Sequence, residues 1–426
     1  MPPGPEDVTD FGARARAWAA ATLPEAGPGL YEGVFRTNVT EEQEAAEVGR
    51  ERQLQRMFYE AGFAGVCVPR EYGGQGLTPD HQRALNQALA GYEFPARLQV
   101  PTFTPCLAIL LEFGTEEQKR THIPAMLRGE ELWMQLLSEP GGGSDVAGAL
   151  TSAVRDGDQW VLNGSKIWTT GAWFSDWGLC LARTNWDVPK HRGLTVFILP
   201  LRQPGLEIHR IEMLNGSREF CQEFLTDVIV PDGDRVGEVD EGWTVGVRWM
   251  LHERLLYESP LVTFASSAST TFASTSFSSL ALAAGRRDDP SAQELVGEAR
   301  MLDVVAARLQ ERIGRGIGAE VFSDQAAAIA RLFKGTTSAR TRTIAFELAG
   351  TTGVSWTEAD GVLADRGLDY LMRQTGCIGG GTTEMARNVI SERVLGMPRE
   401  RSLDRDVPFR DVPRGPSSSP AGRPGG

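Results

Sequence analysis

The chain of 426 residues is 41% hydrophobic and carries a net charge of −13, so it can bury a large core in two or three packed units. It has no Lys/Arg run, which excludes nucleic acid as an expected partner, because such binding needs clustered basic charge. The five cysteines form no CxxC pair and the five histidines show no HExxH spacing. We therefore expect no disulfide framework, no metal site and a reducing compartment.

The N-terminus and the least polar segment indicate the compartment. The opening residues lack a basic stretch followed by an apolar core, which predicts no secretory signal. Residues 255–284 contain Glu258 and Pro260 and many Ser and Thr residues, so they fall short of the ~20 mostly apolar residues of a membrane span. We predict a cytoplasmic protein with no membrane span.

Residues 1–130 have the pattern of an N-terminal helical domain. Leu54, Met57 and Phe58 recur at helical spacing within a charged segment. Thr115 and Gln118 have the spacing of a capping box, which predicts the start of a helix. The first domain is therefore expected to consist of helices alone.

The pattern changes at residue 131 and again at residue 241. Residues 131–240 hold short β-rich runs separated by Gly, Asn and Asp, such as QWVLNGSKIWTT and LTVFILP, and predict a compact antiparallel β domain. Residues 241–400 return to a helical pattern. Residues 401–426 are rich in Pro, Gly, Ser and Arg and are predicted to be a disordered tail. The helical–β–helical order argues against a doubly wound sheet.

The stretch MLHERLLY, residues 250–257, places one carboxylate in an apolar helical stripe. Glu253 shares a helix face with Trp249 before it and with Leu256 and Tyr257 after it. Loss of water raises the pKa of such a carboxylate and makes it a good proton acceptor. The alternative is a solvent-facing Glu253 that pairs with an arginine.

Pro260 interrupts the same helical pattern. Proline removes a backbone hydrogen bond and clashes with the preceding turn, so the helix should kink or restart near Ser259 and Pro260. We expect a new helix from there to Ala284. Its many small side chains allow close packing against other helices.

Four segments, taken together and in this order, resemble the acyl-CoA dehydrogenase family. They are SEPGGGSDVAG (138–148), RDGDQWVLNGSKIWTT (155–170), FLTDVIVPDGDRVGEVDEGW (224–243) and GGGTTEMARNVISERVLGMPR (379–399). The resemblance implies an α+β fold with an N-terminal helical domain, a central antiparallel β domain and a C-terminal four-helix bundle. It also implies FAD as cofactor and an acyl thioester as substrate.

The resemblance also assigns candidate binding residues. Glycines in 138–144 let backbone N–H groups approach an anion closely. Around the flavin ring the family places the residues that correspond here to Leu137, Ser138, Trp168, Thr169 and Thr170, and it places Ser144 near the substrate's pantetheine. Further FAD contacts are implied for Gln293, Glu347, Leu348, Gly350, Thr382 and Glu384, some of them across a subunit interface.

The usual catalytic base of the family is missing. Its position falls on Gly380, within Gly379–Thr382. A minority of the family, similar to isovaleryl- and long-chain-type dehydrogenases, carries the base on the helix after the β domain, where this chain has Glu253 and Arg254. The resemblance then implies Glu253 as base, the Gly380 backbone N–H as a donor to the thioester oxygen, and Arg254 as a residue that holds the adjoining loop.

Two alternatives follow from the same glycine. The chain could be a catalytically silent or structural subunit of a mixed oligomer, or a flavin monooxygenase or oxidase on the same fold. For the leading hypothesis the resemblance implies acyl-CoA or another pantetheine thioester as substrate and an electron-transfer flavoprotein as acceptor. It also implies a homodimer or homotetramer.

Overall fold

The computed structural model describes residues 6–26, 39–254, 259–263, 276–402 and 404–413. Helices come first, a single sheet follows, and helices return after it. This order confirms the predicted α+β arrangement. In the described residues, no helix is long and apolar enough to cross a membrane.

The N-terminal unit has six α-helices among its described residues, and side-chain caps fix where several of them begin. Thr115 and Gln118 exchange backbone-to-side-chain hydrogen bonds of 3.0 and 3.2 Å, which confirms the predicted capping box. Phe11, Phe58 and Phe63 lie in the core of this unit. The helices are α1 (Val8–Thr22), α2 (Glu41–Glu60), α3 (Pro79–Ala88), α4 (Ala96–Pro101), α5 (Ala108–Phe113) and α6 (Glu116–Leu127).

The central unit is one eight-stranded sheet. Its hydrogen-bonded order is β6-β7-β3-β2-β4-β5-β8, with β1 paired to β4. The strands are β1 (Trp133–Leu136), β2 (Ser152–Asp156), β3 (Gln159–Thr170), β4 (Trp177–Arg183), β5 (Leu194–Pro200), β6 (Leu206–Arg210), β7 (Phe220–Pro231) and β8 (Arg235–Val236). Along β4, alternate residues enter two different core clusters, so both faces of the sheet are covered.

The sheet is mainly antiparallel, as predicted, with one exception at β4. β1 runs parallel to β4, with Gln135 opposite Leu179, and β2 also meets β4 in a parallel bridge. The reason is the long connection: the β2–β3 hairpin lies between β1 and β4 in the sequence, and such crossovers permit parallel pairing. This pairing holds β1 beside β4 in the sheet.

The C-terminal unit contains α7 (Gly242–Arg254), α8 (Phe277–Ala283), α9 (Pro290–Gly318), α10 (Ala327–Ala349), α11 (Arg366–Leu371) and α12 (Thr383–Val389). Helix α10 is central, because it packs against α8, α9, α11 and α12. Helix α7 instead packs its buried Val245 and Trp249 into the core cluster beneath the sheet. It therefore joins the sheet to the helical unit.

The expected helix restart at Ser259 and Pro260 differs from the structure. Residues 259–263 form a turn in which Ser259 Oγ accepts from the Leu261 N–H at 3.3 Å. Helix α8 begins only at Phe277, after Ser276, whose side chain caps it. Leu256 and Tyr257, predicted to share the Glu253 face, lie outside the described residues, as do residues 264–275.

The predicted disorder of residues 401–426 is wrong for the segment 404–413, which packs against the β unit. Phe409 is 2% exposed, stacks on Trp186 with ring centroids 5.5 Å apart, and has the Arg183 guanidinium 3.7 Å from its ring centroid. The Phe409 N–H donates to the Val188 carbonyl at 2.9 Å. A single aromatic residue thus anchors a segment whose composition is otherwise typical of disorder. Residue 403 and residues 414–426 lie outside the described part.

Candidate active site

Glu253 lies in the last turn of α7, where its side chain makes a hydrogen bond with Gln135. One turn earlier Trp249 is fully buried and donates from Nε1 to Gln135 Oε1 on β1 at 2.7 Å. Burial raises the pKa of Glu253, while Arg254, a side-chain hydrogen bond with Gln135, and Arg331 act to lower it. Glu253 is therefore a carboxylate with increased basicity, as the helical pattern predicted.

The Gly379–Gly381 turn lies directly against Glu253. Gly380 adopts φ +72°, a conformation that favours glycine. A Cβ placed on Gly380 would lie 3.9 Å from Glu253 Oε1, and one placed on Gly381 would lie 3.7 Å from Arg254 Nη2. Two segments far apart in sequence, each a possible place for a base, thus meet at one point in the fold.

Arg331 on α10 also contacts the Gly379–Gly381 turn, and it was not predicted from the sequence. Its Nη2 donates to the Gly379 carbonyl oxygen at 2.6 Å. Helix α10 carries several arginines, and no local motif distinguishes Arg331 from Arg340 or Arg342. Only the packing of α10 against the turn before α12 reveals its position.

A buried ion pair builds the glycine-rich loop that follows β1. Lys166 Nζ lies 2.8 Å from Glu139 Oε1 and also donates to the carbonyl oxygens of Leu181 and Leu137, at 2.6 and 3.3 Å. The Glu139 carboxylate accepts the N–H groups of Leu150 and Thr151. Both ends of the loop are therefore fixed on β3. Glu139 and Lys166 were not predicted as functional, although both lie within segments quoted for the resemblance.

Trp168 stands on a bulge of β3 with its indole half in solvent. Its φ is +67°, and the pairing of β3 with β7 shifts register beside it. The side chain is 51% exposed and meets Phe220 edge-on, with ring centroids 5.8 Å apart. A large exposed aromatic on an uncommon backbone conformation is the arrangement expected of a ligand contact.

Ser138 and Thr170 lie near this indole, whereas Thr169 faces the other way. The Ile167 N–H donates to the Ser138 carbonyl at 3.0 Å, and the Thr170 side chain is partly exposed. Thr169 is buried and its Oγ1 donates to Glu223 Oε2 at 2.9 Å. The bulge at residue 168 thus turns the Thr169 side chain into the interior, and a cofactor contact by Thr169 stays a prediction.

The two parts of the site adjoin through β1. Gln135 interacts with Glu253, and three residues later Ser138 is bonded to the strand that carries Trp168. Three residues of extended chain span about 10 Å. Leu137 lies between them, partly buried against the core. The residues around the indole fit a flat aromatic group, with apolar contact from Trp168 and hydroxyls from Ser138 and Thr170.

Ser144 lies on the exposed part of the glycine-rich loop. The next residue, Asp145, pairs with Lys190 at 3.1 Å, and Lys190 also pairs with Asp404 at 3.2 Å. Ser144 is thus accessible to a ligand, and the C-terminal segment lies within one ion pair of its loop.

The remaining predicted cofactor residues form a second cluster. Gln293 Nε2 donates to the Arg287 carbonyl, and Arg286 Nη1 donates to the Glu347 carbonyl at 2.7 Å, so the start of α9 meets the end of α10. Gly350 follows, exposed, with φ +59°. From Arg331 to Glu347 the axis of α10 rises about 24 Å, so this cluster lies well away from Glu253 within one chain.

Leu348 does not offer its side chain to a ligand. It is fully buried in the core formed by α8, α9 and α10, and a cofactor contact by Leu348 stays a prediction. At the start of α12, Thr382 accepts from the Met385 N–H at 3.1 Å, and Glu384 is exposed. These two residues lie beside the Gly379–Gly381 turn. Among the described residues no group of His, Cys, Asp and Glu could hold a metal ion.

Comparisons with known proteins support the family that the sequence resembles. Residues 31–130 match the family model described as acyl-CoA dehydrogenase, N-terminal domain, and residues 135–228 match that of the middle domain. The chain is 31% identical over 411 residues to acyl-CoA dehydrogenase IpdE1 of Mycobacterium tuberculosis, with 93% of this chain and 99% of the relative aligned.

Two solved structures have the same architecture. One is described as the Tcur3481-Tcur3483 steroid ACAD; it has a TM-score of 0.68 and 26% identity, over 93% of this chain and 99% of the other. The second is the ChsE4-ChsE5 complex from Mycobacterium tuberculosis, with a TM-score of 0.67 and 23% identity over 94% of this chain and 100% of the other. The second likeness supports the fold alone.

Proposed function

Because this chain belongs to the acyl-CoA dehydrogenase family of oxidoreductases, we propose that it dehydrogenates an acyl thioester between the α and β carbons. Glu253 takes the α proton, and the product is the enoyl thioester. The observation that carries this proposal is the 3.9 Å between Glu253 Oε1 and the Cβ position of Gly380. A carboxylate on α7 thereby reaches the place that the glycine leaves open.

The chain's own residues supply the proton transfer and the electrostatics. The basic form of Glu253 must be within hydrogen-bond reach of the α C–H in the closed complex. Negative charge then grows on the thioester oxygen, and the Gly380 N–H would stabilise it, a contribution of roughly 3–4 kcal/mol for such donors. Arg254 supports the same turn from its other side.

Cofactor binding divides between the two clusters. Leu137, Ser138, Trp168 and Thr170 would contact the ring of FAD, which when bound accepts the hydride from the β carbon. Thr382 and Glu384, together with Gln293, Glu347 and the backbone at 348–350, would contact the rest of the dinucleotide. The distance between the clusters favours contributions from two subunits. An electron-transfer flavoprotein is the proposed acceptor, and Ser144 the proposed contact for pantetheine.

The direct test is anaerobic flavin bleaching with a panel of thioesters. The panel should contain short, branched, long and steroid-ring acyl groups, because the structural relative at 26% identity is described as a steroid ACAD. We expect one class to bleach the flavin and to yield the enoyl thioester by mass spectrometry. Oxygen insertion into the product would instead support a monooxygenase, and no bleaching by any class would contradict the proposal.

A second candidate is a subunit of a mixed oligomer. Gly380 motivates it, and so does the two-component name of the structural relative at 26% identity. Purification of the chain alone and together with a paralogue would separate the two. A chain that binds flavin and bleaches alone supports the homo-oligomeric dehydrogenase. One that gains flavin only on co-expression supports the mixed oligomer.

A further inference from the structure

Arg331 binds the Gly379–Gly381 turn and faces the same point as Glu253. Its Nη2 donates to the Gly379 carbonyl at 2.6 Å, and its Nε would lie 3.8 Å from a Cβ on Gly380. Glu253 Oε1 lies 3.9 Å from that same point. The guanidinium and the carboxylate therefore face one position from two helices, α10 and α7.

The fold keeps space for this guanidinium. A Cβ on Gly335, one turn further along α10, would come within 2.8 Å of Arg331 Nη1 and 3.2 Å of the Gly376 carbonyl oxygen. Any larger residue at 335 would displace the Arg331 side chain or the backbone at Gly376. The guanidinium is thus packed into a defined place between α10 and the turn, in contrast to the exposed Arg308 or Arg315.

The charge at this point is unbalanced. In the described chain two charged groups face Glu253: Arg254 from its own helix and Arg331 from α10. Arg331 itself faces Glu253, Arg254 and the thiol of Cys377. Within those residues no carboxylate lies within ion-pair distance of Arg331. Two guanidiniums against one carboxylate favour a further negative charge at the centre.

We infer that Arg331 is a positioning residue of the proton transfer: it fixes the Gly379–Gly381 turn, and its cation stabilises both ionised Glu253 and negative charge on the thioester oxygen. This inference rests on the proposed function. In the step itself the α C–H bond breaks, the proton goes to a Glu253 oxygen, and the electron pair delocalises onto the thioester oxygen. Arg331 stays protonated throughout, since an arginine side chain does not lose its proton in proteins.

Proton transfer can be measured without oxidation of the substrate. Acetyl-CoA has α hydrogens and no β carbon, so the holoenzyme can exchange its α protons with deuterium but cannot dehydrogenate it. The exchange rate in D2O is followed by NMR from pH 5 to 9 and plotted against pH. The midpoint of this profile reports the ionisation of Glu253, and its plateau reports how well the reacting groups are aligned. Coulomb attraction to Arg331 lowers the pKa of Glu253, so the midpoint must rise when this cation is removed.

The variants are Arg331→Gln and Arg331→Lys, with Arg83→Gln on α3 as the control. Arg83 is exposed and pairs with Asp80 in the N-terminal unit, so its variant should behave as wild type. We expect Arg331→Gln to raise the midpoint. Arg331→Lys should keep the midpoint and lower the plateau about tenfold, because lysine cannot reproduce the fork that holds the turn.

The outcomes separate this inference from the proposed function. An unmoved midpoint in Arg331→Gln overturns the role of the cation, and an unchanged plateau in Arg331→Lys overturns the positioning of the turn. If Arg331→Gln does not fold, Arg331→Lys decides alone, since a raised midpoint or an intact plateau would each contradict the inference. The proposed function is tested separately by Glu253→Gln. If that variant loses the exchange, the proposed function stands, whatever the Arg331 variants show.

Discussion

At the scale of single residues, two carboxylates in this protein lie in different surroundings. Glu253 faces two guanidiniums, whereas Glu223 on β7 is fully buried, accepts from Thr169 and leaves its other oxygen, Oε1, without a hydrogen-bond partner. Burial raises the pKa of Glu223 to about 8, and the hydrogen bond from Thr169 opposes this. Glu223 therefore carries a proton at neutral pH in the folded protein.

This protonation makes stability depend on pH with a definite sign. The ordinary pKa is 4.5, so between pH 4.5 and about 8 the folded protein holds a proton that the unfolded chain has lost. The free energy of unfolding must fall as pH rises through that window. Glu223→Gln removes the fall, and its stability relative to wild type should increase by about 2 kcal/mol from pH 6 to pH 8 in urea denaturation.

The control for that experiment is Glu207→Gln on the neighbouring strand β6, where the side chain is exposed. Its denaturation should run parallel to wild type across the same pH range. Parallel curves for Glu223→Gln as well would contradict the buried, protonated state of Glu223.

Sequence reasoning reached some residues of the site and not others, for a physical reason. Glu253, Arg254 and Gly380 were predictable because each lies within a local motif. Arg331 and Gln135 were not predictable, because their roles come from contacts between elements far apart in sequence. The inward turn of Thr169 depends on a bulge that a simple alternation of strand residues does not reveal.

At the scale of elements, local composition was a weaker guide than packing. The helical–β–helical order followed from periodicity, which each unit shows by itself. The parallel pairing of β1 with β4 and the packed segment 404–413 depend on tertiary contacts instead. Phe409 supplies the apolar contact of this segment, between Arg183 and Trp186, and the Arg410 N–H and Asp404 add polar contacts.

Phe409→Ala should release the segment without unfolding the protein. The segment contacts the β unit at few other places, so the global melting temperature should change little, whereas cleavage by protease within 404–413 should accelerate at least about tenfold. Arg405→Ala, an exposed change in the same segment, is the matched control and should keep wild-type cleavage. Equal resistance of Phe409→Ala and the control would contradict the anchoring role.

At the scale of the whole molecule, the outer face of α9 carries apolar side chains in solvent. Met301, Val304 and Val305 are exposed and lie at i, i+3 and i+4, so they form one stripe. The adjacent α8 adds exposed Leu282. Exposed apolar stripes of this kind are typical of subunit contacts, and the predicted dimer or tetramer, or a mixed oligomer, would cover it.

Val305→Lys should therefore weaken assembly. A charge in the centre of an apolar interface is costly, and we expect a shift toward smaller species in size-exclusion chromatography with light scattering, together with loss of flavin if the second cluster acts across the interface. Val321→Lys places the same change on an exposed valine outside the stripe and should leave the assembly intact. An unchanged mass for Val305→Lys would show that α9 faces solvent in the assembly.

The central claim, that Glu253 is the base, is tested most directly by single-turnover flavin reduction in Glu253→Gln. Glu112→Gln is the control, since Glu112 contacts the same helix through Arg248 and His252 but lies away from the Gly380 turn. We predict that Glu253→Gln retains its flavin spectrum and loses roughly 10²–10⁴-fold in reduction rate, while Glu112→Gln reduces at nearly the wild-type rate. Reduction by Glu253→Gln at the rate of the control would contradict the account.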